Sequence, residues 1–338
     1  MAETAQQPPI DDNQTDDGSS SLGGSYFDES VASLRSSILD YRRENGRTYH
    51  RISDGKYYLP NDEQEQDRLD FTHQMWMITW DGELCLCPKK DGAKRVLDCG
   101  TGTGIWALDY ADARPEATVL GVDLSAIQPE YVPPNLSFEI DDLEKDWTWS
   151  KPFDFIFCRA MNGAFVDWPR FLAQAYDNLE PGGYLEIHEG TFPVFCDDDT
   201  MKEDYAILKW SQLLIESTDK IGRSITMAPK FTKMLEEAGF EDVQEKIEKM
   251  PVSPWPTDPK QKQLGVWTRA ITNESLEAMS LALFTRVLGW TKEETLVFCA
   301  EVRQELRKND VHAYFKGYGV YGRKPLKEQG KTEEAGTA

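Results

Sequence analysis

The chain has 338 residues, 40% of them hydrophobic and 11% aromatic, which suits one α/β unit with additions and excludes wholesale disorder. Its 37 basic against 59 acidic residues leave a formal charge of -22. A field of that sign repels phosphate backbones and anionic lipid, so neither nucleic acid nor membrane is an expected partner.

Residues Met1 to Ser25 carry no basic start and no apolar h-region. Their Gln, Asp, Ser and Gly content buries too little apolar surface to offset ordering entropy, so a disordered tail is expected over 1–25. No run of about 18 apolar residues occurs, and the chain reads as a soluble cytoplasmic protein. Between Ser30 and Tyr41, Val31, Leu34, Ile38 and Tyr41 fall at helical spacing. A second helix opens at Pro60-Asn61-Asp62, with Glu63 and Glu65 favourable near its positive end and Leu69, Phe71, Met75 and Trp76 on an apolar face. Residues 26–90 are therefore expected to form an N-terminal helical cap. Cys85 and Cys87 are a close pair, but no second Cys/His pair at zinc-ligand spacing accompanies them, so packing is expected and no metal.

Past the Asp91-Gly92 turn, short apolar runs alternate with helical stretches, the pattern of parallel strands joined by crossover helices. Strands are expected at Arg95 to Cys99, Thr118 to Val122, Leu136 to Ile140, Phe153 to Cys158 and Gly183 to His188, with Pro181-Gly182-Gly183 as a turn. Helices are expected at Ile105 to Ala111, Pro169 to Leu179, Lys202 to Lys220 and Pro229 to Ala238. Phe240 to Lys249 reads as a sixth strand and His312 to Tyr321 as a seventh. Between them Pro251, Pro254, Pro256 and Pro259 break the chain, and Leu276 to Leu288 and Lys292 to Leu306 carry helical periodicity. The organisation expected is a core over 91–253, a helical insertion over 254–310, a final core strand over 311–326 and a second tail over 327–338.

Chemistry concentrates at the strand ends. Val96-Leu97-Asp98-Cys99-Gly100-Thr101-Gly102-Thr103-Gly104 joins the first core strand to its helix, and glycines there allow a tight turn with close backbone approach to a ligand. Asp123, ending the next strand about 20 residues on, sits where a carboxylate holds ribose hydroxyls. Asp142, after the third strand, either accepts from an adenine amino group or caps a turn; Asp141 is the second choice. The glycines at 100, 102 and 104 do not match G-x-G-x-x-G, which disfavours a nicotinamide oxidoreductase. If a substrate hydroxyl has to give up its proton, His188 is the first choice of base, with Glu186 and Glu189 behind it, against a packed, hydrogen-bonded histidine. His73 is either a core residue or part of a lid, and Trp147, Trp149, Phe153 and Trp168 are either core or a substrate cage.

The order Val96 to Trp106, Asp123-Leu124-Ser125, Asp141-Asp142 and Pro181-Gly182-Gly183 resembles class I S-adenosylmethionine-dependent methyltransferases. Glu44-Asn45-Gly46-Arg47, Tyr58-Leu59-Pro60-Asn61-Asp62, Arg68-Leu69-Asp70, Ile127-Gln128-Pro129 and Asp167-Trp168-Pro169 resemble, more narrowly, the fungal secondary-metabolism methyltransferases related to the velvet-associated regulator. The likeness runs from Tyr26 to Pro325. It implies an α/β, Rossmann-like sheet of order 3-2-1-4-5-7-6 with strand 7 antiparallel, capped by the N-terminal helices and the helical insertion. It implies S-adenosyl-L-methionine as cofactor and a small natural-product acceptor methylated on O or N, or else a regulator working through a protein partner. By resemblance Asp98 orients the loop or the cofactor amino group, Gly100 and Gly102 line the methionine moiety, Asp123 holds the ribose, and Thr101 and Leu124 are further cofactor-binding residues. Asp142 and Leu143 face adenine. Arg159 approaches the sulfonium, or forms a surface ion pair.

Overall fold

The computed structural model describes residues 41–50 and 57–327; the helix expected from Ser30 and both tails fall outside these but for Tyr41 and Lys327. The described part opens with a hairpin, β1 (Arg42–Glu44) and β2 (Arg47–Tyr49), so the expected N-terminal cap is not helical throughout. Its turn residues Asn45 and Gly46 take φ of 54° and 89°, the left-handed values that a two-residue hairpin turn demands. Helix α1 (Glu63–Thr79) follows, capped by the Asp62 carboxylate, which accepts from the Glu65 amide at 3.2 Å and also pairs with Arg47 at 2.6 and 2.7 Å.

The sheet comprises β3 (Arg95–Cys99), β4 (Thr118–Asp123), β5 (Leu136–Ile140), β6 (Phe153–Arg159), β7 (Leu179–Phe195), β8 (Glu241–Pro251) and β9 (Tyr314–Arg323), in the order β5-β4-β3-β6-β7-β9-β8. Strands β3 to β7 pair in parallel, and β9 runs antiparallel to both β7 and β8. Counted from β3, this is the 3-2-1-4-5-7-6 sheet with its seventh strand reversed. The order switches between β3 and β6, which opens a crevice at the carboxyl ends of the strands there.

Two elements are longer than their sequence signals. Strand β7 continues past His188 because antiparallel β9 supplies hydrogen-bond partners as far as Phe195, opposite Tyr314. The Pro181-Gly182-Gly183 segment is accordingly an irregularity inside β7, between the pairs Phe153–Leu179 and Phe155–Tyr184, rather than a turn before it. Helix α6 (Pro259–Arg286) begins well before Leu276. Pro259 starts it instead of breaking the chain, since a first-turn proline needs no amide partner, and Asp258 caps the Gln261 amide at 2.9 Å.

Alternation along the strands feeds two cores, one on each face of the sheet. Leu97, Ile156, Leu185 and Ile187 pack with Trp168 and Phe171 of α3 (Trp168–Asp177) and Leu235 of α5 (Phe231–Glu237). Val96, Phe155 and Phe157 pack with Trp106 and Tyr110 of α2 (Ile105–Ala113). A third core joins Trp76 and Trp80 to Trp210 of α4 (Ala206–Lys220), to Leu264 and Leu283 of α6, and to Phe298 of α7 (Lys292–Leu306). This third core places α1 and α6 together over the carboxyl ends of the strands. Among the described residues no helix is long and apolar enough to cross a membrane.

Candidate active site

The loop leaving β3 turns on Gly100, Gly102 and Gly104, with φ of 71°, 59° and 84°. At Gly100 the positive φ strains any side chain, and a Cβ there would also have to displace the end of the Met161 side chain. Asp123 at the tip of β4 staples the loop: Oδ2 accepts the Gly102 amide and Oδ1 the Ser125 amide, each at 2.9 Å. Gln128 closes the arrangement by donating from Nε2 to the carbonyls of Gly102 at 2.6 Å and Ser125 at 2.9 Å. Two hydroxyls complete the fastening, Thr101 donating to Asp98 at 2.6 Å and Thr103 to Asp70 of α1 at 2.7 Å.

Below α1 lies a hollow of about 880 Å³, its mouth included, lined by Gly100, Gly102, Asp123, Leu124, Asp142, Leu143 and Arg159. Tyr57, Leu69 and Glu65 line it from the N-terminal side. Asp98 and Thr101 line an annex that shares Gly100, Gly102 and Arg159 with it. The residues expected at a cofactor therefore converge on one crevice. Burial pushes the carboxyl groups of Asp98 and Asp123 up to about 6, against the opposing pull of the Thr101 hydroxyl on one and the Ser125 and Gly102 amides on the other. Carboxylates held this way gain from a cationic or hydroxyl-rich ligand. Acids at successive strand tips beside a bare loop fit an adenosine whose tail bears a positive sulfur.

Arg159 ends β6 and is no surface ion pair. Its Nη2 donates to His73 Nδ1 at 2.9 Å, which leaves the His73 Nε2–H to donate to Asp109 Oδ2 at 2.9 Å. Burial lowers the His73 pKa, and the neighbouring Arg159 adds to this, so the ring is a neutral relay that aims the guanidinium into the crevice. Helical spacing alone does not reveal this function of His73, because the partners lie on α2 and β6.

His188 lies outside the linings of both main hollows and is fully buried. Its Nε2 is 2.5 Å from Glu186 Oε1, and its ring packs on Trp76, Trp80 and Phe157. Glu186 in turn accepts the amides of Leu86 at 2.6 Å and Cys87 at 2.7 Å, which pins the segment before β3 to the sheet. The thiols of Cys85 and Cys87 close on Glu186 within 4.8 Å, but both of its oxygens are already engaged. The geometry makes His188 a packed histidine rather than a base. Trp147, Trp149, Phe153 and Trp168 likewise belong to the core against α3.

A second hollow of about 840 Å³, mouth included, shares the lining residue Ala160 with the first. Arg68, Thr72, Met75 and Trp76 of α1 and Thr268, Ile271, Thr272 and Ser275 of α6 line one side of it, and Glu189, Gly190 and Thr191 of β7 another. Residue alternation turns Glu189 to the opposite side of β7 from Glu186 and His188. Burial raises its carboxyl to about 8 even though the amides of Gly190, Met161 and Asn162 pull it down.

A model of a methyltransferase domain matches residues 62–245. Methyltransferase pytC of Aspergillus terreus is 43% identical over 299 residues, 88% of this chain and 92% of that protein. The secondary metabolism regulator LAE1 of Cochliobolus heterostrophus is 39% identical, covering 80% of this chain and 91% of its own. Among solved structures, a Haemonchus contortus phosphoethanolamine N-methyltransferase 2 aligns with 15% identity and a TM-score of 0.44, over 90% of this chain and 75% of that one. With its reversed seventh strand, its glycine loop and the acids that staple it, the chain belongs to the class I S-adenosylmethionine-dependent methyltransferases, among the fungal secondary-metabolism members of that family.

Proposed function

We propose that this protein methylates oxygen or nitrogen on a small natural-product scaffold in fungal secondary metabolism. The observation that carries the reading is the second hollow, which shares Ala160 with the cofactor crevice and is lined by apolar and aromatic side chains together with threonine and serine hydroxyls from the sheet and from α1 and α6. The cofactor supplies a methyl group on an already activated, positively charged sulfur. In this reading Asp123 with Leu124 holds the ribose, and Asp142 with Leu143 faces adenine. Gly100, Thr101 and Gly102 make room for the amino-acid tail, Asp98 orients the loop, and Arg159 sits between cofactor and acceptor. Burial beneath α1 and α6 excludes water, and alignment of the reactants supplies much of the acceleration.

A second reading, a regulator acting through protein partners, is favoured by the similarity to LAE1, named a secondary metabolism regulator. The two assign different acceptors and locations, a small molecule in the cytoplasm or a protein in the nucleus. Incubating purified protein with labelled methyl donor and the low-molecular-weight and protein fractions of its source organism separates them. Label in a small molecule, identified by mass, supports the first reading, and label in protein alone overturns it.

A further inference from the structure

A buried donor or acceptor left unpaired costs free energy, so unpartnered polar atoms gain from a ligand where they line a hollow. Trp76 Nε1, Asn162 Oδ1 and Glu189 Oε2 are buried without a hydrogen-bond partner among the described residues, and all three side chains line the second hollow. Glu189 is 2% exposed. Its Oε1 accepts the Gly190 amide at 2.9 Å and the Met161 and Asn162 amides also pull on the carboxylate, but Oε2 itself has no hydrogen-bond partner among the described residues. Asn162 is oriented by donating from Nδ2 to the Gly190 carbonyl at 2.7 Å, so its oxygen is the end that faces inward. Both Glu189 and Asn162 therefore present acceptors to a hollow whose lining also carries the aromatic rings of Trp76, Phe192, Trp210 and Phe315 and the hydroxyls of Thr72, Thr268, Thr272 and Ser275.

The charge balance narrows the ligand further. Arg68 is the cation of this lining, and Glu65 already pairs with it at 2.6 and 2.9 Å. The other titratable groups facing Glu189 are the Tyr58 hydroxyl and the Cys158 thiol, both held neutral by burial. A carboxylate without a cation, beside an amide oxygen and aromatic faces, is the constellation that recognises an ammonium group through hydrogen bonds and cation–π attraction.

Resting on the methyltransferase reading, we propose that the second hollow takes an arylalkyl amine, whose nitrogen is held by Glu189 and Asn162 and gives its proton to Glu189. The proton moves from the ammonium nitrogen to Oε2; the carboxylate becomes the neutral acid and the nitrogen recovers the lone pair it needs as a nucleophile. Glu189 is thus a catalytic residue, and Asn162 orients the same nitrogen. With its carboxyl raised to about 8, Glu189 is ionised and able to accept a proton above that pH, and a bound ammonium group extends the range downward by favouring the carboxylate.

The test compares tryptamine with tryptophol, an amine and an alcohol of the same shape, by calorimetry at pH 8.5 on the full chain, with and without S-adenosylhomocysteine. The wild type is expected to bind tryptamine at least roughly tenfold more tightly than tryptophol, and Glu189→Gln to lose that preference while keeping its affinity for S-adenosylhomocysteine. An amine bound no better than the alcohol by the wild type, or a preference that survives in Glu189→Gln, overturns the proposal. The wild-type comparison needs no variant, so a poorly folding Glu189→Gln does not rescue it. Absence of S-adenosylhomocysteine binding defeats the methyltransferase reading instead, and the amine preference still decides this one.

Discussion

Replacing Asp123 by Ala is the most informative single change, because this carboxylate both fastens the glycine loop and faces the crevice. A carboxylate offers about four acceptor positions; the Gly102 and Ser125 amides, each at 2.9 Å, take one on each oxygen. The remaining positions suit the two hydroxyls of a ribose. Hydrogen bonds to a charged acceptor contribute about 1.5 to 3 kcal/mol each, but hydroxyls that lose this partner regain water in a half-open crevice. Loss of the pair should therefore cost about 2 kcal/mol, roughly 30-fold in Kd for S-adenosylhomocysteine by calorimetry. The freed amides reach water, so the fold should lose only about 1 kcal/mol and melt a few degrees lower. Wild-type affinity should also fall below pH 6, where Asp98 and Asp123, each with a pKa of about 6, take up protons. The variant should keep a shallower dependence. A folded Asp123→Ala with wild-type affinity refutes the assignment of ribose to this side chain.

Gly102→Val should abolish cofactor binding with the far-ultraviolet circular dichroism spectrum retained, because a β-branched residue is forced to φ 59° with its Cβ 3.3 Å from Leu69; measurable S-adenosylhomocysteine binding contradicts this. His73→Ala frees Arg159 from its relay, and a loss of roughly fivefold in cofactor affinity is expected from one charge-assisted bond. Equal affinity in a folded variant would make His73 packing alone. Glu189→Gln also has a stability signature. The Glu189 carboxyl is raised from 4.5 to about 8 in the fold, so its contribution to stability is fully present below pH 4.5 and is lost as pH rises toward 8. The variant cannot ionise there, so its melting temperature should gain on wild type from pH 5 to 8 and level off above, and parallel melting curves across that range argue against the burial.

The core strands were legible because buried parallel strands are short apolar runs with sharp ends: Arg95–Cys99 and Leu136–Ile140 fall where the pattern puts them. The crevice was legible for the same reason, since strand-tip acids and a glycine loop are local signals. The β1–β2 hairpin had a signal, Asn45-Gly46, that its three-residue strands left without the flanking alternation that usually supports it. The start of α6 was hidden by reading Pro259 as a breaker, although Asp258 before it is an N-cap signal. The acceptor side was least legible. Which of His188 and Glu189 faces the hollow depends on what covers each side of β7, and those covers come from α1, the Leu86-Cys87 segment and α6, remote in sequence.

The central claim is tested most directly by a crystal structure of the full chain grown with S-adenosylhomocysteine. Adenosine density with its ribose on Asp123, its base beside Asp142 and Leu143 and its amino-acid tail along Gly100 to Gly102 is the predicted result. Ligand density elsewhere, or a crevice that stays empty at saturating ligand, contradicts it.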